Sequence, residues 1–260
     1  MNNNATVNLL RTSAIIDITG LRPERVTAGD KQWPNGKLAT ASIIFTADAL
    51  RTYKLTDITL WEKDGKHGTF RYAQGPSKKY GDAKYWNYLA SPNQLRRAEF
   101  SKAVVDEYNR VAGRSGDELT EPPQTEHPMV AQLSITALPS ARRKWPAKLL
   151  AEFEITFLSG MLRSFSMRGL TLWKNDKDER YVRGPWRPYI AKNGDKKFFD
   201  LLRSPDEGAR EALTAVALRE YADELQKQLA IVAEPDDAGD DTFDGDEPPD
   251  DTFTEDETPL

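Results

Sequence analysis

The sequence predicts an α+β fold made of two tandem repeats, each a small antiparallel sheet followed by a C-terminal helix, with a disordered acidic tail. Three observations predict this fold. Tryptophan-containing segments recur at a constant spacing, apolar and polar residues alternate along matching stretches, and the charge composition changes at Glu234. Period-two alternation is typical of half-buried strands, and internal repetition indicates that one structural unit is used twice.

The repeat is visible as residue identities that keep their order along the chain. Trp33-Pro34 recurs as Trp145-Pro146, and Ser91-Pro92 recurs as Ser204-Pro205 at almost the same spacing. Several further matches, among them Thr59-Leu60-Trp61 with Thr171-Leu172-Trp173, make a chance origin implausible. The predicted domains are a first repeat at 10–112, a linker at 113–128, a second repeat at 129–232 and a disordered acidic tail at 233–260.

The elements follow in the same order in both repeats. Alternation predicts strand pairs at 38–46 and 148–158, at 53–61 and 165–173, and at 68–74 and 179–183. The Gly- and Pro-rich stretches 75–92 and 184–205 are predicted to be long loops. Each Ser-Pro is expected to begin a helix, because serine caps and proline suits the first turn. The helices carry apolar stripes at Phe100, Val104 and Tyr108, and at Leu213, Ala217 and Tyr221.

Composition excludes several classes of function. The 260 residues include no Cys and two His, so thiolate metal sites, cysteine nucleophiles and His-rich sites are not expected. No nucleophile–base pair is recognisable, and we expect a protein that is not an enzyme and holds no metal or cofactor. The chain shows no apolar run that could span a membrane and no export signal, so we expect a cytoplasmic protein without membrane contact.

The net charge of -5 averages two different regions. The segment 234–260 carries thirteen of the 41 acidic residues and no Lys or Arg. The other 28 acids stand against all 36 bases, so the segment 1–233 carries +8 and the tail carries -13. A basic body predicts a polyanionic partner such as nucleic acid.

The first repeat resembles the SpoVG family of small nucleic-acid-binding proteins. The resemblance rests on residues 36–43 (GKLATASI), 55–58 (LTDI), 68–70 (GTF), 75–79 (GPSKK) and 103–108 (AVVDEY). It implies a sheet-plus-helix domain, a paired arrangement of domains, and DNA or RNA as the partner. Two fused copies would then form a pseudo-dimer within one chain, and further homo-oligomerisation stays open.

Aromatic and basic residues on the predicted strands and loops are the candidate nucleic-acid-binding residues. Cations that follow phosphates and aromatic rings that stack on bases suit a single strand. The candidates in the first repeat are Trp61, Arg71, Tyr72, Lys78, Lys79, Tyr80 and Lys84, and those in the second are Trp173, Arg180, Tyr181, Arg183, Trp186, Arg187, Tyr189, Lys196 and Lys197.

Each group of candidates also has a purely structural interpretation. The two strand tryptophans could instead form the contact between the repeats, and the basic residues could be ordinary solvated surface. For four loop aromatics the structural interpretation is favoured. We expect Tyr85, Trp86, Phe198 and Phe199 to be core residues that anchor a long loop.

The acidic tail contains the unit Asp-Asp-Thr-Phe twice, at 240–243 and at 250–253. Acidic blocks with single aromatics resemble the C-terminal tails of bacterial and phage single-stranded DNA-binding proteins. This resemblance implies that the tail recruits replication and recombination proteins and competes with DNA for the basic body. A merely solubilising tail is the other interpretation. The candidate partner-binding residues are Asp240, Asp241, Phe243, Asp250, Asp251 and Phe253.

Together these features favour a phage-type protein that binds single-stranded DNA without sequence specificity and coats it during replication or recombination. Two other classes stay open. One is a SpoVG-like regulator that binds duplex DNA or RNA sequence-selectively, and the other is an interaction protein or DNA mimic that acts through the tail. The sequence does not distinguish DNA from RNA as the natural ligand.

Overall fold

A computed structural model describes residues 9–23, 33–66, 68–80, 84–113, 125–139, 145–190 and 194–233. Of these, 50% are in strands and 24% in helices. The first half comprises β1 (Leu9–Leu21), β2 (Lys37–Phe45), a 3-10 turn (Asp48–Leu50), β3 (Lys54–Gly65), β4 (Gly68–Gln74), β5 (Ser77–Tyr80), β6 (Lys84–Asn87), β7 (Leu89–Ala90) and α1 (Gln94–Ala112). The second half comprises β8 (His127–Ala137), β9 (Leu149–Phe157), β10 (Ser166–Lys174), β11 (Arg180–Arg183), β12 (Trp186–Ile190), β13 (Lys196–Asp200), β14 (Leu202–Arg203) and α2 (Glu207–Ala233).

The strands of both halves form one curled, half-barrel sheet, so the predicted fold of two small separate sheets is wrong. Eight strands lie in the order β11-β10-β9-β8-β1-β2-β3-β14, and β4 and β7 pair with β3 and β10. The halves join where β1 pairs antiparallel with β8, with Leu10 opposite Ala131. Each of these strands would otherwise present an unpaired edge, and pairing them satisfies both sets of backbone groups.

Each half also contributes one short strand to the other half's part of the sheet. Strand β7 of the first half pairs with β10, placing Leu89 opposite Met167. Strand β14 of the second half pairs with β3, placing Leu202 opposite Leu55. The exchange is reciprocal, so each half completes the hydrogen bonding of the other.

The core lies between the apolar face of the sheet and the two helices. Phe45 and Phe157 stack in parallel where the halves meet, with ring centroids 5.9 Å apart and planes at 2°. Phe100 of α1 meets Phe165 of the second half edge-on at 5.3 Å. Leu213 of α2 belongs to the same continuous cluster of buried residues. Apolar burial therefore ties the halves together as well as each half internally.

The opposite face of the sheet, called the outer face below, is more polar. It carries Thr40, Thr59 and Trp61 in the first half and Glu152 and Thr171 in the second, all half-buried. These residues alternate along their strands with fully buried ones such as Leu60 and Leu172. The alternation that predicted the strands therefore also separates the two faces.

Both helices begin two residues later than the Ser-Pro pairs predict. The side chain of Asn93 accepts a hydrogen bond from the Arg96 N–H at 3.2 Å and caps α1. Asp206 does the same for Ala209 in α2 at 3.2 Å. Ser91 and its counterpart Ser204 instead accept from the N–H groups of Asn93 and Asp206, shaping the turn before each helix.

The two stretches predicted to be long loops contain β-hairpins. In the first, β5 pairs with β6, and in the second, β12 pairs with β13. Neither pair joins the large sheet. We call β5–β6 the first hairpin and β12–β13 the second hairpin. The Gly-Pro pairs at 75–76 and 184–185 precede the first strand of each hairpin, which is why they indicated loops, while Pro188 lies within β12 opposite Phe198. Aromatic and basic residues make up most of the strands themselves.

Candidate nucleic-acid interface

Both hairpins place a cation directly opposite an aromatic ring. In the first hairpin Lys78 faces Trp86. In the second, Arg187 faces Phe199 and Tyr189 faces Lys197. Directly opposed residues in a β-pair lie on the same face with their Cβ atoms about 5 Å apart. Each hairpin therefore presents alternating charge and aromatic surface along its length.

Five aromatic side chains of the hairpins are exposed, while Trp186 is half-buried. Trp86 keeps 48% of its surface accessible, Tyr85 56% and Phe198 49%, and Phe199 and Tyr189 are also exposed. The expectation that Tyr85, Trp86, Phe198 and Phe199 form part of the core is therefore wrong. The hairpins lie outside the main sheet, so these rings keep much of their surface accessible. Sequence reasoning missed these four side chains, although each pair directly follows a lysine.

A cluster of cations around Trp186 connects the two hairpins. The Trp186 ring meets Phe198 edge-on at 4.6 Å. The Arg183 guanidinium lies 5.2 Å from the Trp186 ring, and the Lys78 ammonium of the first hairpin lies 5.9 Å from it. These contacts lie within the range of cation–π attraction. They bring three of the predicted cationic and aromatic residues from different halves into one surface.

The second hairpin is also held to the first half by an ion pair. Arg187 donates a hydrogen bond to the Asp57 carboxylate at 2.5 Å and lies over the Phe199 ring at 5.5 Å. Burial raises the pKa of Asp57 above its usual range, and the positive charges of Arg187 and Lys37 act against this. The ion pair thus fixes the Arg187 guanidinium beside the Phe199 ring and partly neutralises its charge.

The predicted strand tryptophans lie on the outer face, each opposite a predicted tyrosine. Trp61 faces Tyr72, and Trp173 faces Tyr181. The Trp173 indole N–H donates to Thr171 at 2.9 Å. The indole nitrogen of Trp61 is buried and has no hydrogen-bond partner among the described residues. Both tryptophans are half-buried, so they offer less free ring surface than the hairpin aromatics.

The fold does not bring every predicted residue to this surface. Arg71 pairs with Glu62 of β3 at 2.9 Å and lies 5.5 Å from the ring of Tyr108 in α1. Arg180 is exposed at the start of β11. It pairs with Lys174 of β10 and not with a hairpin strand. Arg71 thus packs against α1, apart from the hairpins where most of the other candidates lie.

The remaining candidates are exposed residues or lie beyond the described side chains. Lys79 and its neighbour Lys78 are exposed on β5, and Lys196 and Lys197 are exposed on β13. Tyr80 and Lys84 form the last backbone pair of the first hairpin. The tail candidates Asp240, Asp241, Phe243, Asp250, Asp251 and Phe253 all lie outside the described residues.

Within the described ranges, no three His, Asp or Glu side chains gather closely enough to hold a metal ion. Neither helix in that part of the chain combines the length and apolar character needed to cross a membrane.

Comparison of the chain with protein-family models, with curated proteins and with solved structures gave no match.

Proposed function

We propose that this protein binds single-stranded DNA without general sequence specificity and coats it in the cytoplasm during replication or recombination. The observation that carries the proposal is the pair of hairpins with exposed aromatic rings beside cations. Trp86 with Lys78, and Phe199 with Arg187, repeat one arrangement at corresponding places in the two halves.

Aromatic rings and cations in alternation match the two chemical parts of an unpaired strand. Each base has an apolar face, and stacking on an aromatic side chain contributes about 1–3 kcal/mol per base. Each phosphate carries a charge that Lys and Arg neutralise with release of counterions. Lys78, Lys79, Lys196 and Lys197 provide exposed positive charge next to the rings. Neither interaction depends strongly on base identity.

The same arrangement favours a single strand over a duplex. In a duplex the base faces are stacked on one another, so rings such as Trp86 and Tyr85 find no free base to contact. Duplex readers instead insert an element into a groove and reach base edges. The exposed hairpin rings therefore support single-strand coating better than duplex recognition.

The acidic tail is proposed to compete with the DNA and to recruit replication and recombination proteins. Its charge of -13 opposes the +8 of the remaining chain. A tethered polyanion has a high local concentration near the cationic surface, so it competes with phosphates for the same side chains.

The test of the proposal is a titration of the full chain with fluorescently labelled oligo-dT and with a duplex of equal length. Tight binding of oligo-dT that weakens steeply with salt, with weak duplex binding, is the expected result. The variant Lys78→Ala/Lys79→Ala should lose affinity and flatten the salt dependence. Lys102→Ala/Lys227→Ala removes the same charge from α1 and α2 and should bind normally. Preference for the duplex, or equal loss in both variants, would contradict the proposal.

Deletion of residues 234–260 should raise the affinity for oligo-dT, because the competing charge is removed. The gain should be largest at low salt and shrink as salt screens the tail. Isothermal titration of both proteins across a salt series measures it. Unchanged or weaker binding by the shortened chain would show that the tail does not compete with DNA.

A further inference from the structure

A cavity of about 540 Å³ lies on the outer face of the second half, beneath Trp86 of the first hairpin. Its lining includes Glu152, Glu154, Arg168, Gly169 and Thr171. This volume is within the range of small-molecule sites and exceeds what one nucleobase needs. One wall is thus an aromatic ring from the first half, and the second half contributes a mixed surface that includes Ala137 and Phe153 besides the polar groups.

The corresponding place in the first half is filled. There Asp57 stands where the second half has Gly169, and its carboxylate holds the Arg187 guanidinium against the Phe199 ring. Gly169 has a left-handed φ of 86°, and the place where its Cβ would lie is taken by Tyr88 and Pro185, each 3.3 Å away. The two halves have therefore diverged at this position: the first holds an ion pair here, whereas in the second the cavity lies beside Gly169.

The polar lining of the cavity combines two carboxylates with the guanidinium of Arg168. Glu154 lies 3.4 Å from Arg168, and its other carboxylate oxygen accepts a hydrogen bond from Thr156 at 3.5 Å. These two contacts fix the orientation of the carboxylate. Glu152 lines the same cavity from the same strand. Two carboxylates against the one guanidinium of Arg168 leave the lining net negative, which disfavours a phosphate, whereas a carboxylate accepts hydrogen bonds from the amino group of a base.

Trp86 and Lys78 supply the other two contacts that a nucleotide needs, which are a stacking surface for the base and a positive charge for the phosphate. A base in the cavity stacks on the Trp86 ring while its hydrogen-bonding edge points to the carboxylates. Lys78 shares a face of the hairpin with Trp86. Its ammonium can therefore hold the phosphate outside the cavity while the base lies inside.

We propose that this cavity takes one unstacked nucleobase that carries an exocyclic amino group, and that it selects such bases against thymine. This proposal rests on single-strand binding as proposed above. It adds one base-selective position to an interface that otherwise binds single-stranded DNA independently of its base sequence. Cytosine offers its amino N–H groups to a carboxylate, whereas thymine presents a carbonyl at the same place.

The test compares oligo-dC with oligo-dT of equal length at pH 7.5, using the full chain. Wild type should bind oligo-dC about tenfold more tightly, as expected for one favourable base contact. The variant Glu152→Gln/Glu154→Gln should lose this preference and bind oligo-dT at least as well as wild type. Glu211→Gln removes a negative charge from α2, on the opposite side of the sheet, and should keep the preference.

The possible failures are distinguishable. Tight binding of both oligonucleotides with equal affinity by wild type overturns the selective cavity and leaves single-strand coating intact. A preference for oligo-dC that survives Glu152→Gln/Glu154→Gln also overturns it, because the selection then arises elsewhere. No binding of either oligonucleotide overturns both proposals together.

Discussion

Asp57 and Gly169 occupy corresponding positions in β3 and β10, and both have a left-handed backbone, with φ of 68° and 86°. The strand register shifts at both places, so each residue forms a bulge. Glycine adopts this conformation without strain, and aspartate tolerates it better than most residues. Both residue types therefore suit the position, and Asp57 uses it to hold Arg187.

The titration of Asp57 should lower stability as the pH rises above its ordinary pKa of 3.8. Burial raises the pKa of this carboxyl in the folded chain, so the folded state keeps its proton to a higher pH than the unfolded state. Stability from this group is then present at low pH and is lost as the pH rises through the folded-state pKa. Asp57→Asn keeps the shape and tolerates the positive φ but does not titrate.

Urea unfolding of wild type and Asp57→Asn between pH 3.5 and 7 measures this effect. The free energy of unfolding of wild type relative to the variant should fall with increasing pH. If it instead rises over this range, the ion pair with Arg187 outweighs the cost of burying the carboxylate.

For single residues, the sequence predicts correctly on which face of a strand a side chain lies, but it predicts poorly how exposed that side chain is. Alternation places Leu60 on the buried face and Trp61 on the other, and the structure has them so. The same alternation in the hairpins cannot tell whether a second layer exists. Tyr85 and Trp86 are therefore expected in a core, although their strands stand outside the sheet.

Among the elements, the exchanged strands β7 and β14 depend on close approach of the chain at two glycines. A Cβ on Gly184 would lie 2.4 Å from the carbonyl oxygen of Leu202 in β14. A Cβ on Gly75 would lie 2.9 Å from the carbonyl oxygen of Leu89 in β7. Both glycines belong to the repeated Gly-Pro pair, which the sequence assigns to loops. Their physical role is to let the crossing strand lie against the backbone.

Gly184→Ala should therefore destabilise the protein by about 1–3 kcal/mol, since the backbone of β14 must shift to admit a methyl group. Gly208→Ala is the matched control. Its Cβ would meet the mobile end of Arg51 at 3.1 Å, and alanine favours the first turn of α2. Urea midpoints at unchanged m-values give both differences. Equal effects of the two substitutions would mean that the approach at Gly184 is not limiting.

The exchanged strands themselves could not be predicted from the sequence. Each is two residues long, which is too short for any alternation to appear. Their partners Met167 and Leu55 lie in the other half, far away along the chain. Pattern analysis describes what one segment prefers, whereas pairing across halves depends on contacts between segments that are far apart in the sequence.

For the whole molecule, the repeat visible in the sequence leads to one sheet instead of two. The join of β1 to β8, the exchange of β7 and β14, and the stacking of Phe45 on Phe157 all cross between the halves. Most of the core is therefore shared. A half by itself would expose the edge of β1 or β8 and the apolar surface that the other half covers.

Unfolding of the intact chain should consequently be one cooperative transition, seen at the same urea concentration by tryptophan fluorescence and far-ultraviolet circular dichroism. Fragments 1–113 and 125–260 correspond to the two halves without the connecting residues 114–124. Each should be unstable or self-associate when alone. Mixed, they should form a 1:1 complex with the circular dichroism of the intact chain, because the exchanged strands need both partners. Two separate transitions in the intact chain, or two fragments that fold as stable monomers, would show that each half is an independent domain.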